Sequence, residues 1–137
     1  MTSYETVYGR FLNTTTDFNL VDFDDDTLNE MLREWLHSAI VKTRTSSDLS
    51  REEGQDAFKN DLSDLDIELL AMGMRLAWLD QTLNSTELTL QFIGGKEEKH
   101  YSQANQINEL RALRADTLRE MHQLYTYDTY VGDSYFD

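Results

Sequence analysis

The stretch that most constrains this chain is Ser63–Leu83, SDLDIELLAMGMRLAWLDQTL. Leu65, Leu69, Met72, Leu76, Leu79 and Leu83 recur in steps of four and three, which traces one face of an α-helix. Ile67, Leu70, Met74, Ala77 and Trp78 fill a second face, interrupted by Asp64, Glu68, Arg75, Asp80 and Gln81. A helix apolar around most of its girth is a buried one, so the pattern predicts a central helix over 63–83. Ala71, Gly73 and Ala77 leave room for a second backbone to come close. Ser63 suits the N-cap, and Asp64 and Asp66 suit the positive end of the helix dipole.

The other helices follow from the same argument. Tyr4, Val7, Tyr8 and Phe11 predict a short amphipathic helix over 2–12. Leu28, Leu32, Trp35, Leu36, Ala39 and Ile40 predict a second, reaching about Val41 or Lys42. Two caps compete at its start. Asp24 as N-cap allows a staple between Phe23 and Leu28, whereas Thr27 as N-cap completes a capping box with Glu30. Asn84–Glu87 reads as another capping box, so a separate two-turn helix is expected after it, closed by Gly94-Gly95. A last long helix is expected from Tyr101 or Ser102 to about Tyr125, with Ile107, Leu110, Leu113, Leu118, Met121 and Leu124 inward. Glu109, Arg111, Arg114, Asp116, Arg119 and Glu120 form its polar face, where Asp116 and Arg119 can pair. Phe18–Phe23, FNLVDF, reads as a short extended or loop segment. Residues 42–61 are polar, and two readings stand: a short helix around Glu52–Phe58 with Phe58 as anchor, or a mobile functional loop. The expectation is an all-α bundle over 1–125 with an extended C-terminal tail over 126–137.

Composition narrows the function classes. The net charge of −14, from 26 acidic against 12 basic residues, disfavours nucleic acid and anionic membranes as binding targets. It does not prevent DNA from passing without sticking. No apolar run approaches the roughly 18 residues of a membrane span. MTSYETVYGR has no charged n-region or apolar h-region, so no signal peptide is expected. The absence of cysteine excludes disulfides, thiol nucleophiles and Cys-ligated metals. His37, His100 and His122 lack paired-ligand spacing, and Asp24-Asp25-Asp26 lacks the rest of a calcium loop. Asp64, Asp66 and Glu68 are read as a dipole-matched helix start rather than as metal ligands. The serines and carboxylates form no nucleophile–base signature, so the chain is read as a non-enzyme with no cofactor and no metal.

Two stretches, DFDDDTLNEMLREWLHSAIVKTR at 22–44 and ELTLQFIGGKEEKHYSQANQINELRAL at 87–113, resemble the head–tail connector or adaptor (neck) proteins of long-tailed bacterial viruses. The resemblance spans about residues 4–126 and carries no catalytic motif. It implies a small helical virion protein, made in the host cytoplasm, that forms a ring, commonly of about twelve copies. Such a ring sits under the portal protein, extends the DNA channel and meets a tail-side neck or stopper protein. An acidic channel wall would let DNA slide. A different class of reading is a small acidic regulatory or inhibitor module that binds a basic protein partner. Carboxylates in rows on one convex surface favour the inhibitor; carboxylates shared between channel and rim favour the ring.

The tail YTYDTYVGDSYFD crowds Tyr125, Tyr127, Tyr130, Tyr135 and Phe136 among Asp128, Asp133 and Asp137. Gly132 and the β-branched residues argue against helix there. Either its aromatics fold back over the bundle, or it is a docking arm that adds a strand to a partner's sheet edge. The resemblance points such an arm at the portal or an adjacent ring.

Overall fold

The apolar stretch from Ser63 folds as one uninterrupted helix, and the rest of the chain is arranged around it. The computed structural model describes the backbone of residues 1–14, 24–45, 47–52, 54–93 and 97–134, with side chains for 1–14, 24–45, 47–52, 54–85 and 104–126. The described elements are β1 (Thr2–Ser3), α1 (Tyr4–Thr14), α2 (Asp25–Lys42), β2 (Ala57–Phe58), α3 (Asp64–Ile93) and α4 (Glu97–Ser134). Helix α3 packs against α1, α2 and α4, as expected of a buried central helix. Ser63 caps it as predicted: its Oγ accepts from the Asp66 amide at 3.1 Å.

Several helix boundaries differ from the sequence reading: α1 spans Tyr4–Thr14 rather than 2–12, because Thr2 and Ser3 pair as a strand with Phe58 and Ala57. The capping box at Asn84–Glu87 does not start a new helix; α3 runs through it to Ile93. A capping box acts only where the backbone is free to leave the helix, and here the helix continues beyond Leu83, whose side chain is buried. Helix α4 begins at Glu97 rather than near Tyr101. It also continues past Tyr125 to Ser134, through Gly132, so the backbone of 126–134 is helical and not extended. Gly costs a helix only about 1 kcal/mol, which the preceding long helix can absorb by propagation. The competition at the start of α2 resolves toward Asp24, whose carboxylate accepts from the Thr27 amide at 2.9 Å. Phe23 and the FNLVDF segment lie outside the described residues.

The inward stripe of α4 is buried at Ile107, Leu110 and Met121, but Leu118 is exposed and Thr117 is buried in its place. Leu118 lies roughly 90° around the helix from the stripe's centre. The Thr117 hydroxyl donates to the Leu113 carbonyl at 2.8 Å, so the burial leaves no unsatisfied group. Arg75 donates to the Thr14 carbonyl at 3.1 Å and reaches Thr117 at 3.5 Å, tying α1 and α4 to the central helix. Arg114 donates to Asp80 at 2.7 Å, and Asp116 pairs with Arg119 at 3.2 Å as its spacing allows.

The polar segment 42–61 takes neither of its two predicted forms. Its described residues build a small hairpin: Glu52 and Ala57 share a 3.0 Å hydrogen bond, Ser50 and Lys59 one of 2.8 Å, and Gly54 turns the chain at φ 76°. β2 pairs antiparallel with β1, Thr2 opposite Phe58 and Ser3 opposite Ala57. Phe58 is fully buried, so the anchor was correctly read while its conformation was not. Asp66, also fully buried, accepts from the Ser47 amide at 3.1 Å and from the Ser47 hydroxyl, which fixes the segment's entry to the core.

Gly73 sits where α2 and α3 touch. A Cβ there would meet the Ala39 Cβ at 2.9 Å, the Ala39 Cα at 3.3 Å and the Thr43 hydroxyl. Gly9, inside α1, has open space around the same position. Gly73→Ala is therefore expected to destabilise by about 1–3 kcal/mol, overpacking outweighing the gain in helix propensity. Gly9→Ala is expected to stabilise by about 0.5–1 kcal/mol. Urea unfolding of the two variants checks the opposite signs.

Candidate functional site

The expected docking residues divide by position. The Tyr125 hydroxyl accepts from the Arg44 amide at 3.1 Å, which joins α4 to the end of α2 and makes Tyr125 part of the bundle. Tyr127 and Tyr130 lie on the helical backbone that continues to Ser134. Tyr135 and Phe136 lie outside the described residues.

Asp64, Asp66 and Glu68 do not converge. Asp66 turns inward to Ser47 and Glu68 pairs with Arg10, while Asp64 stays exposed. On α2, Asp26, Glu30 and Glu34 are all exposed at four-residue spacing, a carboxylate row along one helical face.

A feature the sequence reading missed is a polar groove between α1, α2 and the hairpin. It holds about 440 Å³ and is lined by Tyr4, Arg33, His37, Arg51, Glu52, Gly54, Gln55 and Asp56. A second hollow of about 310 Å³ adjoins it and shares Tyr4, Arg33 and Asp56 as a common wall. Arg33 and His37 stand one helical turn apart on α2, so they face the groove together. Arg51 comes from the hairpin strand, bridged to Phe58 across the ladder. Burial of Phe58 thus places an arginine distant in sequence beside Arg33 and His37.

The charges in the groove are unevenly matched. Arg33 pairs with Asp56 at 3.4 Å. The Arg51 guanidinium makes no ion pair among the described residues. The Tyr4 ring meets His37 edge-on at 6.5 Å and Phe58 at 5.1 Å, which forms the apolar floor. Desolvation depresses the His37 pKa, helped by the positive charges of Arg51 and Arg33 and opposed by Asp56. In the adjoining hollow, burial and then the Asp56 charge push the Tyr8 phenol up to about 12, so it stays a proton donor at neutral pH. Only the i, i+4 spacing of Arg33 and His37 was visible in the sequence. The third member, Arg51, required the hairpin.

Comparison with known protein families, with curated proteins and with solved structures finds no match to this chain.

His37 supplies a direct check on the groove. Its pKa in the folded chain is expected below its ordinary value and should rise toward it in Arg51→Gln and Arg33→Gln. Because the unfolded chain binds this proton more tightly, stability should fall as pH drops through the unfolded value near 6.5. Proton NMR of the His37 ring against pH reads the shift.

Proposed function

We propose that this chain is a virion structural protein, a head–tail connector of the adaptor kind, located at the head–tail junction. It closes into a ring of about twelve copies beneath the portal protein, extends the DNA channel and joins it to a tail-side neck or stopper protein. The observation that carries this reading is where the two resembling stretches fall. The described residues of 22–44 build α2, and those of 87–113 belong to the end of α3 and the first part of α4, helices that pack around the shared core. A rigid helical subunit of this form suits a ring whose wall DNA passes without specific contact. The surplus of carboxylates keeps duplex DNA from adsorbing.

The same charge makes copies repel one another in solution. Among the described residues, the exposed large hydrophobics are Met1, Val41 and Leu118, scattered rather than joined in a patch. Ring closure is therefore driven by the portal, which aligns the copies. No described helix is long and apolar enough to cross a membrane.

The second reading, an acidic inhibitor module for a basic partner, draws on the Asp26, Glu30 and Glu34 row. Charge mimicry uses such a row as its contact, whereas the connector uses it as wall or rim.

The test is assembly on the portal. Light scattering at micromolar concentration is expected to find the subunit mostly monomeric, and electron microscopy with the cognate portal protein to find rings. Truncation after Thr126, which keeps the Tyr125–Arg44 contact, should leave melting nearly unchanged, lower helicity by only the lost turns and abolish assembly. Absence of any portal complex overturns the connector reading. Binding to a cationic protein that is lost in the Asp26→Asn, Glu30→Gln, Glu34→Gln variant would establish the inhibitor instead.

A further inference from the structure

We propose that the hollow walled by Tyr4 and Tyr8 is a pocket for a lysine ammonium, and that its occupant is a lysine of a basic partner protein. The proposal goes beyond the connector reading and does not depend on it.

The pocket starts from an incomplete hydrogen bond. Tyr4 is only 3% exposed, yet its hydroxyl has no hydrogen-bond partner among the described residues. Its amide is taken by the Asp56 carbonyl, and its ring by Tyr8, His37 and Phe58. Tyr4 lines both hollows, and its ring stands between Tyr8 of one and His37 of the other. Buried hydroxyls are ordinarily paired, so one left open at the wall of a cavity points to a ligand atom that completes it.

Charge selects the occupant. The hollow of about 310 Å³ takes carboxylates from Glu5, Glu30 and Asp56 against one guanidinium, Arg33. Asp56 and Arg33 pair with each other at 3.4 Å, which leaves Glu5 and Glu30 without an ion pair among the described residues. The Tyr8 phenol registers the resulting field. Burial first, then the Asp56 charge, push it up to about 12, with Glu5 adding to them and Arg33 opposing. A cation here meets two free carboxylates, the Tyr4 phenol oxygen and two tyrosine rings.

Three features narrow that cation to a lysine carried by another protein. An ammonium is a compact charge with three N–H donors, which suits separate acceptors on α1 and α2. The planar fork of arginine is matched instead to the two oxygens of one carboxylate. A free polyamine carries further ammoniums along its chain. The adjoining groove, where Arg33 and Arg51 balance Glu52 and Asp56, offers a second ammonium no net attraction. Another copy of this chain brings a net charge of −14 and is repelled, whereas a basic protein is drawn to the surface.

The experiment titrates full-length, nitrogen-15-labelled chain at constant ionic strength with a capped Gly-Lys-Gly peptide, its norleucine and arginine counterparts, and spermidine. The lysine peptide is expected to bind weakly and saturably, shifting amides of α1, the N-terminal half of α2 and the hairpin. The norleucine peptide, with the same stem and no charge, should shift none of them. Glu5→Gln combined with Glu30→Gln should weaken lysine binding by about fivefold or more. The charge-matched pair Glu109→Gln and Glu120→Gln on α4 should leave it unchanged. Tyr4→Phe deletes only the open hydroxyl, so it should weaken binding while leaving the melting temperature unchanged or higher. No saturable binding, equal binding of the norleucine peptide, or full binding by the Glu5, Glu30 variant would each overturn the pocket. A lower melting temperature in Tyr4→Phe would overturn it as well, because the hydroxyl would then have a partner within the fold. Tighter binding of the arginine peptide or of spermidine overturns the choice of a protein lysine. None of these measurements involves the portal, so failure here leaves the connector standing, and absence of portal rings leaves the pocket standing.

Discussion

The close approach of α2 to α3 at Ala39 and Gly73 is the contact on which the other placements depend. Two helices carrying ordinary side chains at the crossing would be held further apart. With no side chain at Gly73, Ala39 and Thr43 settle against the α3 backbone, and the last turn of α2 is pinned. Thr43 then leaves the helix in an extended conformation, its amide still bonded to the Ala39 carbonyl at 2.8 Å. From that exit, Arg44 meets Tyr125 and Ser47 reaches the buried Asp66. One glycine thereby positions the start of the hairpin and the point where Tyr125 of α4 meets it.

The hairpin shows how a polar segment is ordered without a helix or a large sheet. Its described residues bury Ala57, Phe58 and Leu62 and hand their backbone groups to β1 and to each other. The Phe58 ring packs against Tyr4, whose amide also donates to the Asp56 carbonyl at 2.8 Å, so ring contact and backbone hydrogen bond together hold α1 to the hairpin. The groove follows from that contact. The hairpin's apolar side is buried in the core, and its polar Asp56 pairs with Arg33 of α2 across the groove.

Electrostatics act on two scales in this molecule. Over the whole chain, excess carboxylate opposes self-association and adsorption to DNA. Within the groove, Arg33 and Arg51 are matched by Glu52 and Asp56, so the local lining is balanced where the whole chain is acidic. Screening confines the repulsion of exposed charges to roughly 8–10 Å at ordinary salt.

Periodicity determined the helical class, the central position of 63–83 and most inward faces, because a 3.6-residue repeat of apolar side chains has one efficient burial. It also determined the Ser63 cap and the close-packing role of Gly73, both of which act through near neighbours. Only tertiary structure decided the rest. Asn84–Glu87 and Gly132 carry local signals for ending a helix, yet continuing helical turns override them, since propagation costs less than a new nucleus. Leu118 gave way to Thr117 because the stripe follows the facing helix and not the most apolar residue. The form of 42–61 depended on Thr2 and Ser3, half a chain away, and pairing between such distant strands leaves no period in sequence. The groove is of the same kind: Arg33 and His37 share a helix at i, i+4, a pair the sequence reading passed over, and Arg51 joined them only through the burial of Phe58.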